Sequence, residues 1–229
     1  LLDHLGLEDV TVIGNSVGGW IAAEMALLGS PRISGIVLLD AVGIEVEGHP
    51  VADVSGLSVP EIQALSFHDP TPFRVDPTTI PDGQKAIMAA NGAALAVYAG
   101  SAAMADPTLR GRLGVVAIPT LVLWGENDQI VPPAYGQAYA AAIPGARFEV
   151  LPATGHIPRW RLPISFSMQQ PSSSALRPRA SSVVVIFGQG GLLEPDCDLG
   201  RRLPMPVIES STSSRVAGST VRTFPSQPR

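Results

Sequence analysis

One serine in this chain sits where its hydroxyl is built to attack. Ser16 lies in Gly14-Asn15-Ser16-Val17-Gly18, between the β-branched run Val10-Thr11-Val12-Ile13 and an apolar stretch from Val17 to Leu28. A sharp strand-to-helix turn would hold the serine in a strained backbone conformation and lift its Oγ above a sheet. Side chains two residues to either side would then collide with strand or helix, which is why glycine stands there. The start of the helix would supply positive dipole and free N–H groups beside an oxygen that becomes charged, with the Val17 N–H as one oxyanion donor. A Gly-rich turn can also carry a serine by chance; the flanking strand and helix give this one its meaning.

A serine hydroxyl is a weak nucleophile at neutral pH and needs a base that is itself oriented by an acid. His156, in Ala153-Thr154-Gly155-His156-Ile157, follows an apolar run late in the chain and is the best base. His4 precedes the Ser16 strand, and His49 and His68 fall in a segment of different character. Asp128 closes Trp124-Gly125-Glu126-Asn127-Asp128 at the end of another apolar run and is the favoured acid. Asp40, after Ile36-Val37-Leu38-Leu39, is its rival. Glu126 and Asn127 read as turn residues.

The elements that must position these groups follow from hydrophobic patterning. Strands are expected at 10–13, 36–39, 120–124 and 147–151, and helices at 17–28 and 133–143, the latter opened by Pro133 and followed by Pro144-Gly145. Continuous apolar strands separated by helices imply a mostly parallel sheet covered on both faces, an α/β class. Residues 43–110 break this rhythm. They are rich in Pro, Asp and Thr before Gln84, with a helical piece at 59–65 and an Ala-rich helix at 87–104, and they read as a cap over a site or as a surface excursion.

After Trp160 the composition changes. Residues 161–229 hold 13 of the 20 serines, eight prolines and eight arginines without lysine, so this tail is expected to be low-complexity and disordered. Its Val183-Val184-Val185-Ile186-Phe187 run fits a strand or an exposed sticky segment. The expected organisation is therefore a domain at 1–160 and a tail at 161–229.

Composition narrows the function classes. The 229 residues are 45% hydrophobic and carry a formal net charge of −5. The first 160 residues bear 7 basic and 16 acidic side chains, a balance of −9, which argues against nucleic acid as the partner; the tail bears 8 and 4. The lone Cys197 excludes an intrachain disulfide. No apolar run is long enough to span a membrane, and Leu1-Leu2-Asp3-His4 shows no basic signal-peptide region. The expected setting is cytoplasmic, with a small-molecule substrate and no membrane or nucleic-acid partner.

Taken together, Gly14-Asn15-Ser16-Val17-Gly18-Gly19, the stretch from Leu123 to Pro132 (Leu-Trp-Gly-Glu-Asn-Asp-Gln-Ile-Val-Pro) and Gly155-His156 resemble the α/β-hydrolase superfamily, in its capped single-domain branch. The resemblance covers roughly residues 1–160. It implies a serine hydrolase acting on a small carboxylic ester or related acyl bond through an acyl-enzyme, with Ser16, Asp128 and His156 as the triad and no metal or organic cofactor. Carbon–carbon bond hydrolases and cofactor-free perhydrolases resemble the chain too, whereas the epoxide-hydrolase and dehalogenase branches carry Asp in place of Ser16. The family pattern also has strands before the nucleophile strand, one of them followed by a loop donating a second oxyanion N–H, and a helix soon after the histidine. This chain starts about a dozen residues before Ser16 and runs from Arg159-Trp160-Arg161 into the Ser/Pro/Arg-rich tail. The expectation is a truncated, frame-disturbed gene product whose Ser16 strand has an unpaired edge, and an inactive remnant is the reading from a different class.

Overall fold

The computed structural model describes residues 2–99, 104–158, 182–187 and 220–225. Among the described residues six strands form one sheet: β1 (Val10–Asn15), β2 (Ile33–Leu39), β3 (Thr120–Gly125), β4 (Arg147–Leu151), β5 (Ser182–Phe187) and β6 (Thr220–Pro225). Their order is β4-β3-β2-β1-β5-β6. All neighbours are parallel except β5 and β6. The helices are α1 (Leu2–Leu5), α2 (Val17–Leu27), α3 (Val59–Ser66), α4 (Asp82–Ala99), α5 (Leu109–Arg112) and α6 (Pro133–Ala142).

The strands are apolar on both faces, as parallel strands buried from both sides must be. Val12, Ile36, Leu38, Val122, Trp124, Val184 and Ile186 share one buried cluster with Ala22 and Ala23 of α2 and Tyr135 and Tyr139 of α6. The alternate residues Val37, Leu39, Leu121 and Leu123 form a second cluster on the opposite face. This arrangement bears out the α/β class with a mostly parallel sheet.

The C-terminal composition misled in one respect. The 183–187 run is a strand, and it lies beside β1 in parallel register from Val10↔Ser182 to Asn15↔Phe187. The expected unpaired edge on the Ser16 strand is therefore corrected: β1 is paired on both sides. Four β-branched residues in succession favour extended backbone, and Val184 and Ile186 bury their side chains in the main core. Residues 220–225 add an antiparallel strand outside β5. The rest of the stretch expected to be disordered lies outside the described residues, as do Arg159-Trp160-Arg161.

The inserted segment leaves and rejoins the sheet layer at one point. Gly43 and Ala105 form a parallel bridge, and the Asp106 N–H donates to the Gly43 carbonyl at 2.9 Å. Arg112 forks onto Glu24 of α2 at 2.9 and 2.7 Å and reaches Asp106 at 2.8 Å, tying the end of the insertion to the helix that starts after Ser16. At the other end, the Tyr135 hydroxyl of α6 accepts from the Ile44 N–H at 2.9 Å and donates to the Ile44 carbonyl. The Ala-rich helix runs from Asp82 to Ala99, and residues 100–103 lie outside the described residues.

Candidate active site

Parallel strands bring their carboxyl ends to one edge of the sheet, where ligands gather in such folds. Here β1 leads into Ser16, β2 into Asp40, β3 into the loop of Asp128 and β4 into the loop of His156. The register Leu39↔Leu123 and Gly125↔Leu151 sets these ends level with one another.

Ser16 has φ 55° and ψ −120°, a positive φ outside the regions L-residues favour. Such a conformation costs on the order of 1–3 kcal/mol and must be held by its surroundings. They are visible. The Ser16 N–H donates to the Leu39 carbonyl at 2.9 Å, and its own carbonyl accepts from Gly19 at 2.9 Å, Trp20 at 3.2 Å and Val42 at 3.3 Å. A Cβ on Gly14 would strike the Gly18 carbonyl and lie 2.7 Å from the Gly19 nitrogen, so any larger residue there would open the turn. The glycines flanking the serine are thus explained by close approach, as the sequence implies.

The three residues singled out by sequence are brought together. His156 Nε2 lies 2.9 Å from Ser16 Oγ, and His156 Nδ1 lies 2.8 Å from Asp128 Oδ2. Asp128 Oδ1 accepts the N–H groups of Ile130 and Val131, both at 2.8 Å. A carboxylate can only accept, so Nδ1 donates to it and Nε2 is left to accept from the serine hydroxyl. All three side chains are buried. The Val17 N–H opens α2 and is among the donors a helix leaves without an intrahelical acceptor.

Asp40, the rival acid, does not bond His156. It is wholly buried, its Oδ1 accepts the Gly125 N–H at 2.7 Å, and its Oδ2 has no hydrogen-bond partner. Burial, and then the neighbouring Asp128, push its pKa well above the ordinary carboxylate range. Glu126 accepts the Ala153 N–H at 3.1 Å, and the Asn127 N–H donates to Thr154 at 2.8 Å, so both brace the loop that leads to His156, in keeping with turn roles. His4, His49 and His68 are exposed.

Sequence reasoning gave Asn15 no task, yet its side-chain amide donates to the Leu39 carbonyl at 3.2 Å and to the His156 carbonyl at 3.1 Å. The inserted segment also meets the His156 loop. Ile157 N–H donates to the Ser66 carbonyl at 3.1 Å, and a Cβ on Gly155 would lie 2.9 Å from the His68 nitrogen. Phe67, at the end of α3, is buried beside it. Among the described residues there is no cluster of three or more potential metal ligands, and no helix is long and apolar enough to cross a membrane.

Comparison with known proteins agrees with this architecture. Residues 1–163 match the model of the Alpha/beta hydrolase family. A 2-hydroxy-6-oxononadienedioate/2-hydroxy-6-oxononatrienedioate hydrolase of Cupriavidus pinatubonensis is 30% identical, over 70% of this chain and 60% of its own length. The epoxide hydrolase EphH of Mycobacterium tuberculosis is 26% identical, over 71% of this chain and 84% of its own. Among solved structures, a serine hydrolase from the polyaromatic hydrocarbon-degrading bacterium Cycloclasticus zankles superposes with a TM-score of 0.52 at 18% identity, covering 68% of this chain and 60% of that one. The chain spans about 60% of the length of the first of these relatives. A sheet edge that gathers Ser16, Asp128 and His156 in that chain order, and a family match over most of the length, lead to one conclusion: the chain belongs to the alpha/beta hydrolase family.

Proposed function

We propose that this chain carries the reacting groups of a serine hydrolase that cleaves a small carboxylic ester through an acyl-enzyme. The observation that supports this most is the buried Asp128–His156–Ser16 chain, two hydrogen bonds of 2.8 and 2.9 Å ending on a serine in a strained elbow. In the proposed reaction, Ser16 Oγ attacks the ester carbonyl carbon while its proton passes to His156 Nε2. Asp128 holds the ring in position and balances the imidazolium. The carbonyl oxygen gains charge and is met by the Val17 N–H. Collapse breaks the carbon–oxygen bond, and the leaving alcohol takes the proton from His156. Water, deprotonated in turn by His156, then attacks the acyl carbon, releasing the acid and restoring Ser16.

The inserted segment, whose Ser66–Phe67 end packs on the His156 loop, would form the roof that selects the substrate. Burial of Ser16 and His156 beneath it favours a small, apolar acyl group over a polymer.

A second reading, hydrolysis of a carbon–carbon bond in a diketone, draws support from the Gly14-Asn15-Ser16-Val17-Gly18-Gly19 elbow and from the Cupriavidus relative, whose name describes hydrolysis of a 2-hydroxy-6-oxo dienedioate. Ser16 disfavours the epoxide-opening chemistry of EphH, because that branch carries Asp at this position. Turnover of a series of p-nitrophenyl esters, set against ring-fission diketones, separates the two. Ester turnover alone supports the first reading; diketone cleavage with negligible ester turnover replaces it by the second.

A further inference from the structure

Two buried carboxyl groups, Asp40 and Asp128, act on each other in the interior, and two neighbouring buried carboxylates without a counter-charge do not both stay ionised. The partners of each group say where the proton resides. Asp128 faces three N–H donors, those of Ile130 and Val131 on Oδ1 and His156 Nδ1 on Oδ2. Asp40 faces one, the Gly125 N–H on Oδ1, and no donor reaches its buried Oδ2. Negative charge is better held by the group with three donors. A proton on Asp40 Oδ2 also supplies the missing bond of an otherwise orphaned buried oxygen.

The surroundings offer Asp40 no counter-charge. The titratable groups facing it are Asp128, from the loop after β3, and beyond it His156, from the loop after β4. Among the described residues no lysine or arginine acts on it, and burial alone disfavours the ionised form. Its backbone is left-handed, at φ 45°, a conformation that aspartate and asparagine tolerate better than most residues.

We infer that Asp40 is a neutral carboxylic acid that donates a hydrogen bond from Oδ2 to Asp128, fixing the carboxylate from which His156 takes its orientation. Asp40 is a positioning residue: it has no hydrogen bond to Ser16 or His156 and acts through Asp128. Its kinetic consequence rests on the hydrolase reading proposed above; its protonation does not.

Infrared difference spectroscopy of the full chain in heavy water near pH 7 tests the proton directly. The parent shows the carbonyl stretch of a protonated, buried carboxylic acid, and Asp40→Asn abolishes it. In Asp128→Asn the same band shifts, because its acceptor changes from carboxylate to amide, and this variant keeps the test open should Asp40→Asn fail to fold. A parent without the band, a band surviving in Asp40→Asn, or a band indifferent to Asp128→Asn overturns the inference. With a turned-over ester, Asp40→Ala lowers kcat on the order of 10²-fold while KM moves little, because the acid is no longer held in place. Asp40→Asn restores a donor to Asp128 and most of the rate, and its acid limb coincides with that of the parent. If the limb instead moves to lower pH by about 1–3 units, a negative charge has been removed beside the base and Asp40 was ionised. Should no substrate be turned over, the hydrolase reading is what suffers, and the infrared result still decides the proton.

Discussion

The side-chain amide of Asn15 donates to the main-chain oxygen of His156 at 3.1 Å, joining the residue before Ser16 to the proposed base 141 positions later. The same amide holds the Leu39 carbonyl at the end of β2. The loop bearing His156 is thus pinned to two strands at once, independently of Asp128. Asn15→Ala removes both bonds and frees the loop. Misplacement of a reacting group by about 1 Å costs on the order of 10²-fold in rate, so the variant is expected to lose kcat on that order with little change in KM. Steady-state kinetics on any substrate the parent turns over checks this; an unchanged kcat would show that Asp128 alone suffices to hold the base.

Tyr135 ties α6 to the stem of the inserted segment by bonding both the N–H and the carbonyl of Ile44. Burial pushes its phenol up to about 12, so it stays a neutral donor and acceptor throughout the working pH range. Tyr135→Phe leaves two buried backbone groups without partners, each costing about 1–3 kcal/mol. Thermal unfolding is expected to fall by several degrees, roughly 2–4 °C per kcal/mol for a chain of this size. A melting temperature within one degree or so of the parent would contradict this.

Asp40 also makes stability depend on pH. Its folded-state pKa is raised by burial and by Asp128, whereas in the unfolded chain it titrates near the ordinary value of about 3.9. Between these two values the folded state binds more protons than the unfolded one. The contribution of Asp40 to stability is therefore full below about pH 4 and declines as pH rises, by up to about 1.4 kcal/mol per unit. Asp40→Asn lacks this titration. Urea unfolding at pH 5, 6 and 7 is expected to show the variant gaining on the parent at each step, and a constant difference would rule the linkage out.

The three residues that the structure brings together could be read from sequence because each follows a short apolar run and is marked by a nearby glycine: Ser16 by Gly14 and Gly18, Asp128 by Gly125, His156 by Gly155. Those are local signals of strand ends. Asn15 and Asp40 were opaque for the opposite reason. The role of Asn15 is a contact across 141 residues, and the place of Asp40 depends on the register Leu39↔Leu123, which lays it against Gly125. A strand end followed by Asp marks a candidate acid but cannot say whether it faces the histidine or another acid. The C-terminal strands were masked by composition. Val183–Phe187 carried a strand signal inside a Ser- and Pro-rich stretch, and Thr220–Pro225, with only Val221 and Phe224 as large apolar residues, does not stand out from it.

In the proposed reaction Ser16 is a nucleophile activated by His156. Labelling of the full chain by a fluorophosphonate probe tests this most directly, because the probe captures an activated serine whatever the natural substrate. The parent is expected to be labelled and Ser16→Ala not at all, with His156→Ala reduced on the order of 10⁴-fold or more. A folded parent that resists the probe, or a Ser16→Ala variant labelled as fast as the parent, would contradict the account.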